Sequence, residues 1–337
     1  MTEQPRSNLT RRTFLALSVA SAFFQEFWQD VMAVAPENEI PQRLLGRTGE
    51  KVSIIGLGGY HIGNPHDESE GIRIIQSAID NGINFLDNCW DYHGGDSEVR
   101  MGKALKGAYR SKVFLMTKID GRDKKTAASQ IEDSLRRLQT DTIDLMQLHE
   151  VIRMSDAEKS FGPNGAIEAL VDARKAGKIR FIGFTGHKSP EMHLHMLACA
   201  ARNNFKFDAV QLPLNVMDSH FDSFEKLVVP VLVKHQIGVL GMKPLGGGPI
   251  LQSRVVSAIE CLQYAMDLPT STVITGCDSI SILQQALRAA RTFRPLTAKE
   301  RGSIMEKTKA LASRGAYELY KTSERFDGTN HHPEWMG

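Results

Sequence analysis

The chain has 337 residues, 42% of them hydrophobic and 24% charged, and a net charge of +2 from 41 basic and 39 acidic side chains. This near-balance gives no reason to expect a nucleic-acid partner or an anionic membrane surface, and the length suits either two average domains or one large α/β barrel with additions. Cys89, Cys199, Cys261 and Cys277 show neither a CxxC pair nor zinc-type spacing, so no metal or iron–sulfur centre is expected. Buried thiols are the simple reading, with Cys89 set apart by its place between two candidate catalytic residues.

At the N-terminus, Thr10-Arg11-Arg12-Thr13-Phe14-Leu15 places paired arginines before an apolar run of 11 residues, Phe14 to Phe24, and Ala33-Val34-Ala35 then precedes Pro36. A charged start, a short apolar core and an A-x-A site make an export signal, and the core is too short for a stable membrane anchor. The segment resembles a twin-arginine signal, which delivers folded proteins to the translocation machinery. The expectation is a leader over residues 1–35 and a periplasmic or otherwise extracytoplasmic destination, or a cytoplasmic one if the leader does not function.

The remainder, 40–337, reads as one domain. Arg43-Leu44-Leu45-Gly46-Arg47-Thr48-Gly49 suggests a hairpin arm able to plug a barrel from below. Short apolar runs then begin near Val52, Ile83, Val113, Ile143, Ile179, Ala209, Gly238 and Thr272, at steps of 31, 30, 30, 36, 30, 29 and 34 residues. They are too short for typical helices and, as in Ile143–Leu148, barely alternate, which is the pattern of parallel strands covered on both faces. Between them, Ile72/Ile75/Ala78/Ile79, Ala127/Ile131/Leu135/Leu138 and Ile167/Leu170/Val171 fall on helical faces, and Asn81-Gly82 and Gly177 suit helix C-caps. Eight strand–helix units predict a closed (β/α)₈ barrel. An open doubly wound sheet is the alternative, but Gly56-Leu57-Gly58-Gly59 lacks the GxGxxG spacing. Helices near Ser279–Arg291 and Thr297–Ser313 follow, with a C-terminal extension from about 292 and a polar tail that either packs over the active-site face or stays loose.

In such a barrel the chemistry sits at the carboxyl ends of the strands. There the second strand ends at Asp87 with Tyr92 close behind, the third at Lys118 and the fourth at His149. Alone, each has an ordinary explanation as a cap, a solvated amine, a core imidazole or packing; together at one rim they form a candidate site. Gly82-Ile83-Asn84-Phe85-Leu86-Asp87…Tyr92…Ser97-Glu98, Thr117-Lys118, Leu148-His149, Gly177-Lys178-Ile179-Arg180…Gly183 and Val210-Gln211-Leu212-Pro213…Asn215 resemble the aldo-keto reductase pattern over roughly 42–295. The resemblance implies a nicotinamide cofactor and a small-molecule carbonyl or alcohol substrate. Tyr92 would be the proton donor, Lys118 would lower its pKa from the free value of about 10, Asp87 would hold Lys118, and His149 would hydrogen-bond the carbonyl oxygen.

By the same resemblance, Thr185, Gly186 and Gln211 would face the nicotinamide amide, although the family usually has Ser-Asn where Thr185-Gly186 stands; His187 or backbone groups would stand in for the missing amide. Met242 replaces a stacking Tyr. Lys243, Leu245 and Gly247 would lie along the pyrophosphate, with Gly59, Tyr60, Gly276, Ser279 and Gln285 also on the cofactor. Ile282 occupies the place of the arginine that reads a 2′-phosphate, and Asp278 is nearby, so NADPH is the family default and NADH a serious possibility. Tyr60, His61 and Trp90 are candidate substrate contacts. A redox sensor or partner-binding module with little turnover is the competing reading, kept open by Gly186 and Met242. A metal-dependent hydrolase is disfavoured by the absence of HxH at a strand end.

Overall fold

The computed structural model describes residues 39–64 and 67–337; the twin-arginine segment lies outside them. Two short strands, β1 (Gln42–Leu44) and β2 (Lys51–Ser53), pair antiparallel with Gln42 opposite Ser53. Eight more follow: β3 (Ile55–Gly58), β4 (Phe85–Asp87), β5 (Phe114–Ile119), β6 (Ile143–Leu148), β7 (Ile179–Thr185), β8 (Ala209–Pro213), β9 (Gly238–Met242) and β10 (Thr272–Gly276). They pair in parallel, and β10 returns to β3 to close the (β/α)₈ barrel. Every residue of β5 and β6 is buried, which is why these segments read as apolar runs rather than alternating ones.

The hairpin closes the bottom of the barrel. Leu45 and Val52 are fully buried against Phe85, Phe114, Met116, Leu145, Ala209, Leu240 and Ile274. Gly46 turns with φ +50°, and a Cβ there would lie 2.4 Å from the backbone N of Gly238, so only glycine fits. Val52 therefore belongs to the arm, and the first barrel strand begins at Ile55 instead. Hydropathy alone does not separate the two, because both are completely buried.

The helices of eight or more residues are α1 (Glu68–Asp80), α2 (Asp96–Ala104), α3 (Lys124–Leu138), α4 (Met154–Phe161), α5 (Ala166–Lys175), α6 (Pro190–Arg202), α7 (Ala258–Asp267), α8 (Ile280–Arg291) and α9 (Ala298–Ala312). Asp67, Asp123, Ser189, Ser257, Ser279 and Thr297 each cap the following helix by accepting a backbone N–H. Ala127, Ile131, Leu135 and Leu138 form the buried face of α3. No helix among the described residues is long and apolar enough to cross a membrane.

The C-terminal tail is packed, not loose. Buried Lys321 pairs with Asp218 at 2.6 Å and Glu318 at 3.0 Å. Asp327 takes His187 at 3.0 Å and Lys188 at 2.7 Å, and Glu150 accepts the backbone N–H groups of Gly328 and Thr329. Further on, the carbonyls of Trp335 and Met336 accept from the Gln130 side chain and the Arg122 backbone. The tail thus crosses residues that follow β5, β6 and β7, the end of the barrel where the candidate site lies.

Candidate active site

Asp87 is the last residue of β4, Lys118 projects from β5 and His149 follows β6, while Tyr92 opens a tight turn in which His93 and Gly94 have φ of +54° and +64°. The four meet. Lys118 Nζ donates to Asp87 Oδ1 at 2.5 Å, to the Asn88 carbonyl at 2.7 Å and to Tyr92 Oη at 3.2 Å, so all three ammonium protons are engaged. The Tyr92 and His149 rings meet edge to face, 5.8 Å apart. Lys118 is only 1% exposed, and a buried ammonium of this kind persists only when paired.

The electrostatics correct one expectation. Burial works to lower the Lys118 pKa, but Asp87 and the neighbouring acidic groups outweigh it and raise the value. Tyr92, expected to be acidified by Lys118, is instead pushed well above the ordinary phenol value by burial and by Asp87, Cys89, Asp91 and Glu150. Burial is the largest cause, and the surrounding acidic groups add to it. Tyr92 is held as a neutral O–H donor, with the Lys118 ammonium in contact to receive negative charge if the proton leaves.

His149 is fastened through Nδ1, which lies 2.9 Å from Asp120 Oδ1, 3.2 Å from Cys89 Sγ and 3.5 Å from Asp91 Oδ1. Burial pushes the Asp91 carboxyl up to about 6 against the pull of His149, and raises the Cys89 thiol too. Asp91 and Asp120 were not singled out in the sequence. Asp120 carried the same signal as Asp87, an acid at the end of a strand.

On the cofactor side, Thr185 is buried and its Oγ1 lies 3.8 Å from Met242 Sδ. Gln211 is engaged at both ends, donating to Asp87 Oδ2 at 2.6 Å and accepting from Gln147 at 3.0 Å. Lys243 sits at φ +52°, with Nζ 5.0 Å from the centre of the Phe326 ring, 5.5 Å from that of Tyr320 and no hydrogen bond among the described residues. Burial lowers its pKa to about 8. Half-buried Leu245 leads into Gly246, Gly247 and Gly248, which run at φ +62°, +74° and +107°. On the neighbouring strand ends, Gly59 after β3 packs on the Asp87 carbonyl, and Gly276 at the end of β10 leaves room for His61, whose Nδ1 would lie 2.0 Å from a Cβ there. Ser279 caps α8, on which Gln285 is half-buried and Ile282 exposed.

Tyr60 is 51% exposed and stands edge-on to Tyr92 at 5.4 Å, beside the phenol and facing solvent. Trp90 is turned the other way: its Nε1 reaches Asp133 of α3 at 3.3 Å and its ring meets Trp335 of the tail at 6.0 Å. Two surface grooves, of about 400 and 380 Å³, lie on the flanks and contain none of these residues.

Residues 54–259, more than half of the chain, match the aldo/keto reductase family model. The chain belongs to the aldo/keto reductase family. It is 28% identical over 249 residues to aldo-keto reductase AMT2 of Alternaria alternata, a match covering 62% of this chain and 65% of that protein. To L-galactose dehydrogenase of Arabidopsis thaliana it is 27% identical over 330 residues, covering 81% and 97%. The holo form of aldo-keto reductase AKR11C1 from Bacillus halodurans superimposes with a TM-score of 0.68 at 25% identity, over 83% of this chain and 99% of that one. The chain spans about two thirds or less of the length of the Alternaria relatives it matches, and nearly all of the Arabidopsis one.

Within this aldo/keto reductase the departure at position 186 has a steric cause. A Cβ on Gly186 would lie 2.3 Å from the Val151 carbonyl and 2.9 Å from the His193 ring. No asparagine fits there, and His187, the candidate substitute, is tied to Asp327 of the tail.

Proposed function

We propose that this oxidoreductase reduces an aldehyde or ketone to the alcohol, or runs the reverse, with Tyr92 as the general acid or base. The reading rests above all on the 3.2 Å contact between Tyr92 Oη and Lys118 Nζ at a rim shared by three adjacent strands. A reduced nicotinamide, when bound, would supply the hydride. As charge grows on the carbonyl oxygen, the neutral Tyr92 hydroxyl donates its proton, and the Lys118 ammonium hydrogen-bonds the phenolate left behind. Asp87 keeps Lys118 charged and aimed. His149 donates from Nδ1 to the Asp120 carboxylate, and against the effect of burial Asp91 and Asp120 raise its pKa; as the imidazolium it also carries a proton on Nε2 to position and polarise the carbonyl.

The residues present fit a dinucleotide. Lys243 is a cation with no anionic hydrogen-bond partner among the described residues, beside three consecutive glycines of positive φ; Gly246 and Gly248 donate their N–H groups to the Lys243 and Leu245 carbonyls, which leaves that of Gly247 for a phosphate oxygen. NADPH is the family default. Exposed Ile282 and nearby Asp278 stand where a 2′-phosphate would need a cation, which keeps NADH in the proposal, and the ratio of kcat/KM for the two decides. Multiple-turnover oxidation of NAD(P)H by a simple aldehyde, lost in Tyr92→Phe, is the expected result; a Tyr92→Phe variant with undiminished turnover removes Tyr92 from the chemistry.

We also propose export by the twin-arginine route, from Arg11-Arg12 and the apolar run behind them. Cell fractionation that finds only full-length protein in the cytoplasm overturns it.

A further inference from the structure

Three strand ends bring together a set of donors that no spacing in the sequence announces. Cys89 and Asp91 follow β4, Asp120 follows β5 and His149 follows β6, and one donor atom from each lies within 4.8 Å of all the others. Nδ1 of His149 is the hub, with Asp120 Oδ1 at 2.9 Å, Cys89 Sγ at 3.2 Å and Asp91 Oδ1 at 3.5 Å. Tetrahedral zinc with ordinary bond lengths sets its ligand atoms about 3.3–3.6 Å apart; the three distances from His149 Nδ1 are close to that spacing, and the remaining separations, all within 4.8 Å, reach it with small side-chain shifts. Two oxygens remain unspent: Asp91 Oδ1 and Asp120 Oδ2 are buried without a hydrogen-bond partner, and Asp120 is wholly inaccessible. A thiol, an imidazole and two carboxylates match the borderline-soft preference of Zn²⁺ rather than the all-oxygen shell of Mg²⁺ or Ca²⁺.

We propose that Cys89, Asp91, Asp120 and His149 bind one zinc ion. Binding displaces the protons of the Cys89 thiol and of His149 Nδ1, and four protein ligands leave no open position, so the ion is a positioning element rather than a Lewis acid for substrate. With Nδ1 on the metal, Nε2 carries the remaining ring proton and points a donor at the carbonyl oxygen; this consequence rests on the reductase reading, whereas zinc binding does not.

The test uses the full chain, purified without a polyhistidine tag, stripped with a chelator and titrated with Zn²⁺ in competition with a chromophoric chelator. Expected are one tight equivalent, affinity at least 100-fold weaker in Cys89→Ser and in Asp120→Asn, and a thiolate-to-metal absorption band with Co²⁺ that Cys89→Ser abolishes. Thermal melts with chelator present establish that each variant is folded, and added zinc is expected to raise the melting point of the parent but not of Cys89→Ser or Asp120→Asn. A second, more exposed group, Glu158, His195 and Cys199, is removed by His195→Ala, which should leave the tight equivalent in place. Failure of the parent to retain zinc, equal affinity in folded Cys89→Ser, or loss of the equivalent in His195→Ala alone overturns the site and leaves a hydrogen-bonded network around His149. Because the readouts are stoichiometry and absorption, none of these results depends on turnover.

Discussion

Gln211 and Asp87, 124 residues apart in sequence, are joined by a 2.6 Å hydrogen bond from the glutamine Nε2 to the carboxylate Oδ2. Asp87 spends its other oxygen on Lys118, so a residue expected at the cofactor also buttresses the candidate catalytic pair. Gln211→Ala strands that oxygen in a buried setting and is expected to destabilise the protein by about 1–3 kcal/mol and to lower kcat as well as nucleotide affinity. Gln211→Glu, which sets a second carboxylate against Asp87, should be worse on both counts. Denaturant unfolding beside steady-state kinetics checks this; a variant with altered nucleotide KM, native stability and native kcat would leave Gln211 a cofactor contact only.

Tyr92→Phe removes a hydroxyl whose one protein hydrogen bond among the described residues is with Lys118. Stability should change by no more than about 1 kcal/mol, while carbonyl reduction falls by about 10²–10⁴-fold, the range of a lost general acid. The two measurements together separate a chemical role from a packing one.

Breaking the buried pair has a different signature. Lys118→Met leaves Asp87 charged and without its counter-ion, at an expected cost of about 3–5 kcal/mol. The double variant Asp87→Asn, Lys118→Met removes both charges and should regain much of that stability while remaining inactive. Equal melting points for the single and double variants would mean that Asp87 takes up a proton when Lys118 is gone.

The barrel was legible from the step of about thirty residues, and the tetrad from its strand-end positions, because both follow from local pattern and topology. The first strand was misplaced at Val52 because a plug residue under the barrel is as apolar as a stave. Asp91 and Glu150 offer no pattern of their own because their partners arrive from other strands or from the tail, whereas Asp120, an acid just past the end of β5, is open to the same reading as Asp87. Asp327, which closes on His187 and Lys188, offers no sequence pattern at all: its meaning appears only when a segment 140 residues later than His187 folds back over the rim. The raised pKa of Tyr92 has the same origin, because how deeply the phenol is buried and which acids surround it follow from the folded rim and not from local sequence.

Restoring the family's asparagine at position 186 should harm rather than help. Gly186→Ala already drives a methyl into the Val151 carbonyl, 2.3 Å away, and Gly186→Asn adds an amide with no space to occupy. Both are expected to lower the melting temperature, and the asparagine variant to bind nucleotide more weakly than the parent. Tighter binding in Gly186→Asn with unchanged stability would show that the strand end relaxes to accept it.

Lys243 gives the pH dependence. Its pKa is lowered from 10.5 to about 8 by burial, so the fold favours the neutral amine. The stability penalty of carrying the charge is therefore present in full below pH 8 and is relieved between about 8 and 10.5. Nucleotide binding runs the other way. A phosphate beside Nζ favours the ammonium, so above pH 8 binding must take up a proton, and affinity falls as pH rises through that value. Lys243→Met should bind more weakly at pH 7, lose this pH dependence and gain stability relative to the parent most clearly at neutral pH. Fluorescence titration of NADPH and NADH from pH 7 to 9.5 tests it: an affinity in the parent that is flat over this range would place the phosphates away from Lys243, and with them the proposed run of the cofactor along Gly246–Gly248.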